Sequence, residues 1–281
     1  MRPIREQVIL ITGATDGLGR AVAGELAAAG ATVLLHGRDA ERGRQAIDEI
    51  RARSGNEKLG WYEADFSSLD EVRSMAEQVI GEQQRLDVLV NNAGIGTTLP
   101  GGGERMESKD GYELRFAVNY LAGFLLTRLL KPLLLSSAPA RIVNVSSAGQ
   151  MPIDFSDVML ERGGYSGTRA YCQSKLTQVI VTFDLAEELR GTGVTANCLH
   201  PATYMPTKIV LSARGSALST LEEGVRATMR LISASELDEI SGRYFNGVNE
   251  ARADEQAYDA DARRRLRELS EHLVGLSSRG A

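Results

Sequence analysis

Six times along this chain a short apolar run is followed by a longer segment with apolar residues at helical spacing. That alternation restricts the fold more than any other feature. The pairs are 8–11 with 17–29, 32–36 with 40–53, 59–62 with 69–83, 87–90 with 110–131, 141–145 with 168–190, and 194–199 with 218–232. Strands that are apolar on both faces and separated by helices specify a parallel sheet covered on each side. The expected architecture is an α/β, doubly wound parallel sheet with helices on both faces, completed by a last strand at 242–245 and a C-terminal helix from about 255. No Pro/Gly/Ser-rich linker divides the 281 residues and no repeat of solenoid length is present, so residues 1–281 read as a single domain. The irregular stretches 97–108, 149–167 and 201–216 are expected to wall a ligand site, because ligands in this architecture bind beyond the carboxyl ends of the strands.

Composition excludes several classes of function. A formal net charge of −5 argues against nucleic acid as a partner, since phosphate binding needs a concentrated basic surface. The basic run Arg263, Arg264, Arg265 and Arg267 alternates with Leu266, Leu269 and Leu273, which is the pattern of the solvated face of an amphipathic helix. With only Cys172 and Cys198, no disulfide framework is expected and a reducing compartment is the natural home. The apolar run after residues 1–7 is too short for a signal peptide. The apolar stretch 124–135 is interrupted by Arg128, Lys131 and Pro132, so no membrane span is expected. The chain therefore reads as cytoplasmic, with no metal site, and a homo-oligomer is left open.

Directly after the first strand comes Thr12-Gly13-Ala14-Thr15-Asp16-Gly17-Leu18-Gly19-Arg20. Glycines here permit a tight turn and let backbone N–H groups approach a pyrophosphate, while the following helix points its positive end at the same charge. Gly13, Thr15, Asp16, Gly17, Leu18 and Gly19 are thus candidate cofactor contacts in a Rossmann-like domain. Dinucleotide-binding domains usually place an acidic residue at the end of the second strand, on the adenosine ribose. This chain has Gly37-Arg38 there, which offers room and positive charge suited to a 2′-phosphate. NADP(H) is the expected cofactor, with NAD(H) as the alternative. Two features oppose the preference: Asp39 can pair with Arg38, and Asp16 is acidic.

Tyr171-Cys172-Gln173-Ser174-Lys175 places a tyrosine and a lysine at i and i+4 of a helical segment, so both project from one face. A nearby ammonium and the positive nicotinamide favour the phenolate, which lets a tyrosine exchange a proton with a carbonyl or alcohol oxygen near neutral pH. Tyr204 and Lys208 repeat the spacing, but Pro206 lies between them and a regular helix through both is not expected. Tyr204 reads as a wall of the substrate pocket rather than as a catalytic group.

The loop spacing G-x-x-x-G-x-G, with Tyr171 and Lys175, resembles the short-chain dehydrogenase/reductase family, and the resemblance extends along the whole chain in the same order. It implies a catalytic set of Asn119, Ser147, Tyr171 and Lys175, with Asn119 helping to hold a proton-relay water near the lysine and Ser147 orienting the substrate oxygen. It further assigns Asp65 and Phe66 to the adenine end, Asn92, Ala93 and Gly94 to the cofactor's flank, and Pro201 and Thr207 to the nicotinamide side. Within the family the chain is most similar to the retinol-dehydrogenase-like and protochlorophyllide-reductase-like members. The implied reaction moves a hydride between NADP(H) and the carbonyl or alcohol group of a small, largely apolar molecule. Two departures stand out: Ser147 and Tyr171 are 24 positions apart, so an insertion lies between them, and Ala202 replaces the usual glycine after Pro201. The insertion 149–167 is expected to form a mobile apolar wall beside the nicotinamide. The rival readings are a catalytically silent cofactor-binding protein of the same fold and an epimerase or dehydratase.

Overall fold

The computed structural model describes residues 1–98 and 103–276. Its strands are β1 (Val8–Ile11), β2 (Thr32–Gly37), β3 (Leu59–Glu63), β4 (Val88–Asn91), β5 (Ala140–Val145), β6 (Val194–His200), β7 (Tyr244–Asn246) and β8 (Asn249–Ala251). They form one sheet in the order β3-β2-β1-β4-β5-β6-β7-β8. All neighbours are parallel except β7 and β8, which pair antiparallel. The order reverses between β1 and β4, which opens the crevice where ligands bind in doubly wound sheets.

Alternate strand residues feed two cores, because successive side chains in a strand point to opposite faces. Leu10, Leu34, Leu89 and Ile142 pack under α3 (Leu69–Glu82), α5 (Ala122–Ser136), α6 (Gly167–Glu188) and α9 (Ala260–Leu273). Ile9, Ile11, Val33, Val88 and Val90 pack under α1 (Gly17–Ala28), α2 (Ala40–Ser54) and α8 (Leu221–Ser233). Burying such side chains contributes about 1.5–3 kcal/mol each, and this two-sided burial accounts for the apolar runs of the central strands β1 and β4.

The helix expected over 110–131 starts later and ends later. Ser108 to Tyr112 form a turn with Gly111 at φ +83°, and Glu113 caps α4 (Leu114–Phe116) by accepting from the Phe116 N–H. A π-helical turn (Ala117–Leu121) then leads into α5, which continues through Pro132 because Leu130 and Leu134 are fully buried on either side of it. The helical stretch Leu114–Ser136 is 23 residues, long and apolar enough to cross a membrane, and 56% of its most apolar window is buried inside the fold.

Three further differences have local causes. The connection 201–216 contains a helix, α7 (Lys208–Arg214), which is terminated by Gly215 in the left-handed conformation. The strand β8 follows a turn at Gly247. The insertion 149–167 is not an open apolar wall: Ile153, Val158 and Leu160 are buried, the Ile153 amide donates to Gln256 Oε1, and Gln173 Nε2 donates to the Val158 carbonyl. Phe155 and Met159 also pack on the core while Met151 stays exposed, so most of its apolar surface is spent on packing. Part of the other expected wall, residues 99–102 of 97–108, lies outside the described residues. In α9, Leu266 faces the core while Arg264 pairs with Asp261 and Glu268, and Arg267 with Asp184.

Candidate active site

The site forms where the loops after β1 and β4 meet. Gly13 and Gly17 lie at φ +66° and +52°, a region that favours glycine. A Cβ on Gly13 would lie 2.8 Å from the Ala93 Cα, and one on Gly19 would drive into the Gly13 carbonyl oxygen and lie 2.5 Å from Asn92 Nδ2. The loops are bonded as well as close-packed. Asn92 Nδ2 donates to the carbonyls of Thr12 (2.8 Å) and Gly13 (3.1 Å), and Thr12 Oγ1 accepts from the amides of Asn92 and Ala93. Close backbone approach at the N-terminus of the twelve-residue α1 is what a pyrophosphate needs, so these residues fit a dinucleotide. Leu18 is buried in the core beneath α1, which leaves its main chain as its contribution to the loop.

His36 was not among the expected site residues, yet it organises this end of the sheet. Its Nδ1 accepts from the Gly13 amide at 3.2 Å and its Nε2 donates to the Ala64 carbonyl at 3.0 Å. Those bonds fix one neutral tautomer. Burial pushes its pKa down to about 4, and the ring stacks on Phe66 at 4.2 Å. A polar residue ending an otherwise apolar strand was the available signal. Asp65 accepts from the Ser67 amide and pairs with Lys109 at 3.5 Å.

The expected room at Gly37 is absent. A Cβ there would lie 2.7 Å from Thr15 Cγ2 and 2.8 Å from the Trp61 ring, so the glycine serves packing. Arg38 is exposed and has no ion pair or hydrogen bond among the described residues; Asp39, its expected rival partner, instead caps α2 by accepting from the Arg42 amide. Asp16 caps α1 through the Gly17 amide and pairs with Arg42 (3.0 Å) and Lys208 (3.2 Å).

Asn119 lies in the π-helical turn, where its Oδ1 accepts from the Ile95 amide (2.7 Å) and its Nδ2 donates to Ser174 Oγ (3.0 Å). Tyr171 and Lys175 project from α6, with Lys175 Nζ 5.7 Å from the Tyr171 ring centre. A Cβ on Gly149 would lie 3.3 Å from Cys172 Sγ, 3.5 Å from Ser147 Oγ and 3.9 Å from a Tyr171 ring carbon, and one on Gly94 would lie 3.2 Å from Asn119 Oδ1 and 3.7 Å from Lys175 Nζ. The four expected catalytic residues therefore converge. Ser147 Oγ accepts from the Gly149 amide, which leaves its proton for an oxygen beside it.

Burial pushes the Tyr171 phenol up despite the lowering effect of the Ser147 hydroxyl, and pushes Lys175 down to about 7. Desolvation thus sets the direction at Tyr171 in the free protein, and the expected lowering draws on the ammonium together with the positive nicotinamide of the bound cofactor. Pro201 is buried, and Ala202 packs on the second core. Ala202 is not at positive φ; the left-handed residue of this turn is Tyr204, at φ +52°, so alanine fits where a glycine is usual. Tyr204 is exposed, with the Arg214 guanidinium 4.2 Å over its ring, while Lys208 turns to Asp16. The two do not share a helix face. Thr207 precedes α7 and reaches the phosphate loop, its Cγ2 3.2 Å from where a Gly17 Cβ would sit, and Ile209 packs on Gly96 of the loop after β4. α7 thus bridges the mouth of the crevice.

Comparison with known proteins agrees with this geometry. The sequence profile of the short chain dehydrogenase family matches residues 7–215. Retinol dehydrogenase 13 of Mus musculus is 37% identical over 96% of this chain and 84% of its own length. Retinol dehydrogenase 14 of Homo sapiens is also 37% identical, covering 96% and 87%. Among solved structures, a protein of uncharacterised function from Mycobacterium paratuberculosis superposes with a TM-score of 0.78 at 30% identity, covering 96% of this chain and 94% of its own. A protein described as a short-chain dehydrogenase from Shigella flexneri, in complex with NADP, gives 0.70 at 28% identity, covering 86% and 97%.

Proposed function

The chain belongs to the short-chain dehydrogenase family, in its retinol-dehydrogenase-like branch, and so is an oxidoreductase of alcohol and carbonyl groups with a nicotinamide cofactor; from that premise we propose that it is NADP(H)-dependent and acts on an apolar, retinoid-like alcohol or aldehyde. The observation that carries the proposal is the convergence of Ser147, Tyr171 and Lys175 around Gly149 and Gly94, beside the glycine loop.

When bound, the nicotinamide supplies or accepts the hydride. Gly13, Gly17 and Gly19 give the close backbone approach for its pyrophosphate, with Thr15, Asp16 and Leu18 in the same loop and Asn92, Ala93 and Gly94 on its flank. Arg38 would meet the 2′-phosphate, Asp65 and Phe66 would border the adenine end, and Pro201 and Thr207 would face the nicotinamide side. Ser147 Oγ orients the substrate oxygen. In reduction Tyr171 gives that oxygen its phenolic proton, and in oxidation it takes the proton back. Lys175 holds positive charge beside the phenol, which stabilises the phenolate as it forms. Asn119 supports the lysine's surroundings.

The NADP preference is supported by Arg38, exposed and without a competing carboxylate partner, and by the NADP complex of the Shigella relative. The apolar substrate is supported by the names of the relatives and by the apolar side chains of α7, where Ile209 and Leu211 are partly exposed. Residues 1–281 act in this reading as one dinucleotide-binding unit, and two buried free thiols suit a cytoplasmic setting. A protein that binds the cofactor without turnover would have no use for the converging hydroxyl, phenol and ammonium.

A panel of retinoid, long-chain and short-chain aldehydes and alcohols, assayed with NADPH/NADP and NADH/NAD, tests the proposal. Turnover greatest with NADPH and an apolar aldehyde is expected. Turnover confined to short polar substrates, or preference for NADH, would overturn it.

A further inference from the structure

Lys175 is buried, and its ammonium has two recorded acceptors: the Val145 carbonyl at 3.0 Å and Gln178 Oε1 at 3.0 Å. Gln178 is one turn further along α6, also buried, and its Nε2 donates to the Asn119 main-chain carbonyl at 2.7 Å. An ammonium can only donate and a carbonyl can only accept, so the two partners fix the orientation of the amide. Gln178 also borders a small cavity lined by Asn91, Thr127 and Asn144. The Asn119 carbonyl that accepts from Gln178 lies in the π-helical turn.

Family resemblance puts a water between this lysine and Asn119; in this chain a side chain makes the connection. We propose that Gln178 is a positioning residue, which couples Lys175 to the Asn119 main chain, aims the ammonium at Tyr171 and supplies the acceptor that keeps it charged in a buried site. An amide does not pass a proton along as a water does, so the link is electrostatic and structural rather than a relay. Burial pushes Lys175 down to about 7, and an acceptor at 3.0 Å such as Gln178 Oε1 is of the kind that favours the charged form. The other groups facing the lysine are Tyr171 on its own helix, His200 at the end of β6, itself lowered by burial and then by Lys175, the Val145 carbonyl of β5, and Asn119. Among the described residues no carboxylate pairs with it.

The inference rests on the proposed role of Tyr171 and Lys175, but its test needs no turnover. The chain has five lysines, so the ¹³Cε signal of Lys175 in ¹³C-lysine-labelled full-length protein can be assigned by its loss in Lys175→Met and then titrated. Gln178→Leu fills similar space without an acceptor and is expected to lower the Lys175 midpoint by about one pH unit or more. Gln178→Glu puts a carboxylate beside the ammonium and is expected to raise it by about as much. Folded variants whose midpoints stay within about 0.3 unit of the parent would overturn the inference; if only one variant folds, its midpoint decides. Full activity in Tyr171→Phe would sink the functional reading without moving these midpoints, so the two failures are separable.

Discussion

Asp16 and Lys208 pair at 3.2 Å, joining the capping residue of α1 to the first residue of α7. The phosphate loop and the helix across the mouth of the site are thus tied by one carboxylate, which Arg42 also holds at 3.0 Å. Burial raises the Asp16 pKa, but Lys208, the Gly17 amide and Arg42 together hold it below its ordinary value. Asp16→Asn keeps the cap, since asparagine caps as well as aspartate, and removes a negative charge that would face a bound phosphate. NADPH binding should tighten by about two- to five-fold, the effect of a partly exposed charge, and proteolysis within 208–214 should accelerate. Fluorescence titration with NADPH measures the first effect, and weaker binding would show that the charge assists the cofactor.

Tyr171→Phe removes only the ionisable oxygen and should abolish turnover while NADPH affinity stays within a few-fold. Tyr204→Phe should retain most activity, since Tyr204 is exposed and separated from Lys208 by a left-handed turn. Steady-state kinetics on both variants decides; reversed effects would reassign the proton donor.

Because a Cβ cannot fit at Gly37 and Asp39 is engaged as a cap, discrimination between the cofactors falls on Arg38. Arg38→Ala should weaken NADPH by about 1.5–3 kcal/mol, roughly ten- to a hundred-fold, as for a charge-assisted contact, and leave NADH nearly unchanged. Dissociation constants for both cofactors check this. Equal losses would remove the 2′-phosphate role.

His36 titrates near 4 in the fold against an ordinary 6.5, so between those values the unfolded chain binds the extra proton and stability falls as pH falls. By pH 5 about 2 kcal/mol should be lost from this group. Urea unfolding of the parent and of His36→Gln at pH 7.5 and 5 measures it. The parent should lose more than the variant over that interval, and equal losses would contradict the buried neutral imidazole.

What the sequence determined by itself was whatever depends on short spacing. Uniformly apolar runs separated by helices dictated the doubly wound sheet, and the glycines of 13–19 and the i, i+4 pair Tyr171 and Lys175 read directly, because turn geometry and helix periodicity are properties of neighbouring residues. Only the tertiary structure decided how distant residues spend their polar groups. His36 bridges Gly13 and Ala64, Gln178 joins Lys175 to Asn119, and Asp16 reaches Lys208. Gly37 looked like a vacancy until Trp61 and Thr15 were packed on it, and the apolar insertion looked like a ligand wall until Ile153, Val158 and Leu160 were buried. The physical reason is the same in each case: a buried polar group must find a partner and an apolar one must find cover, and which residue answers that demand is set by packing across the sheet rather than by position along the chain.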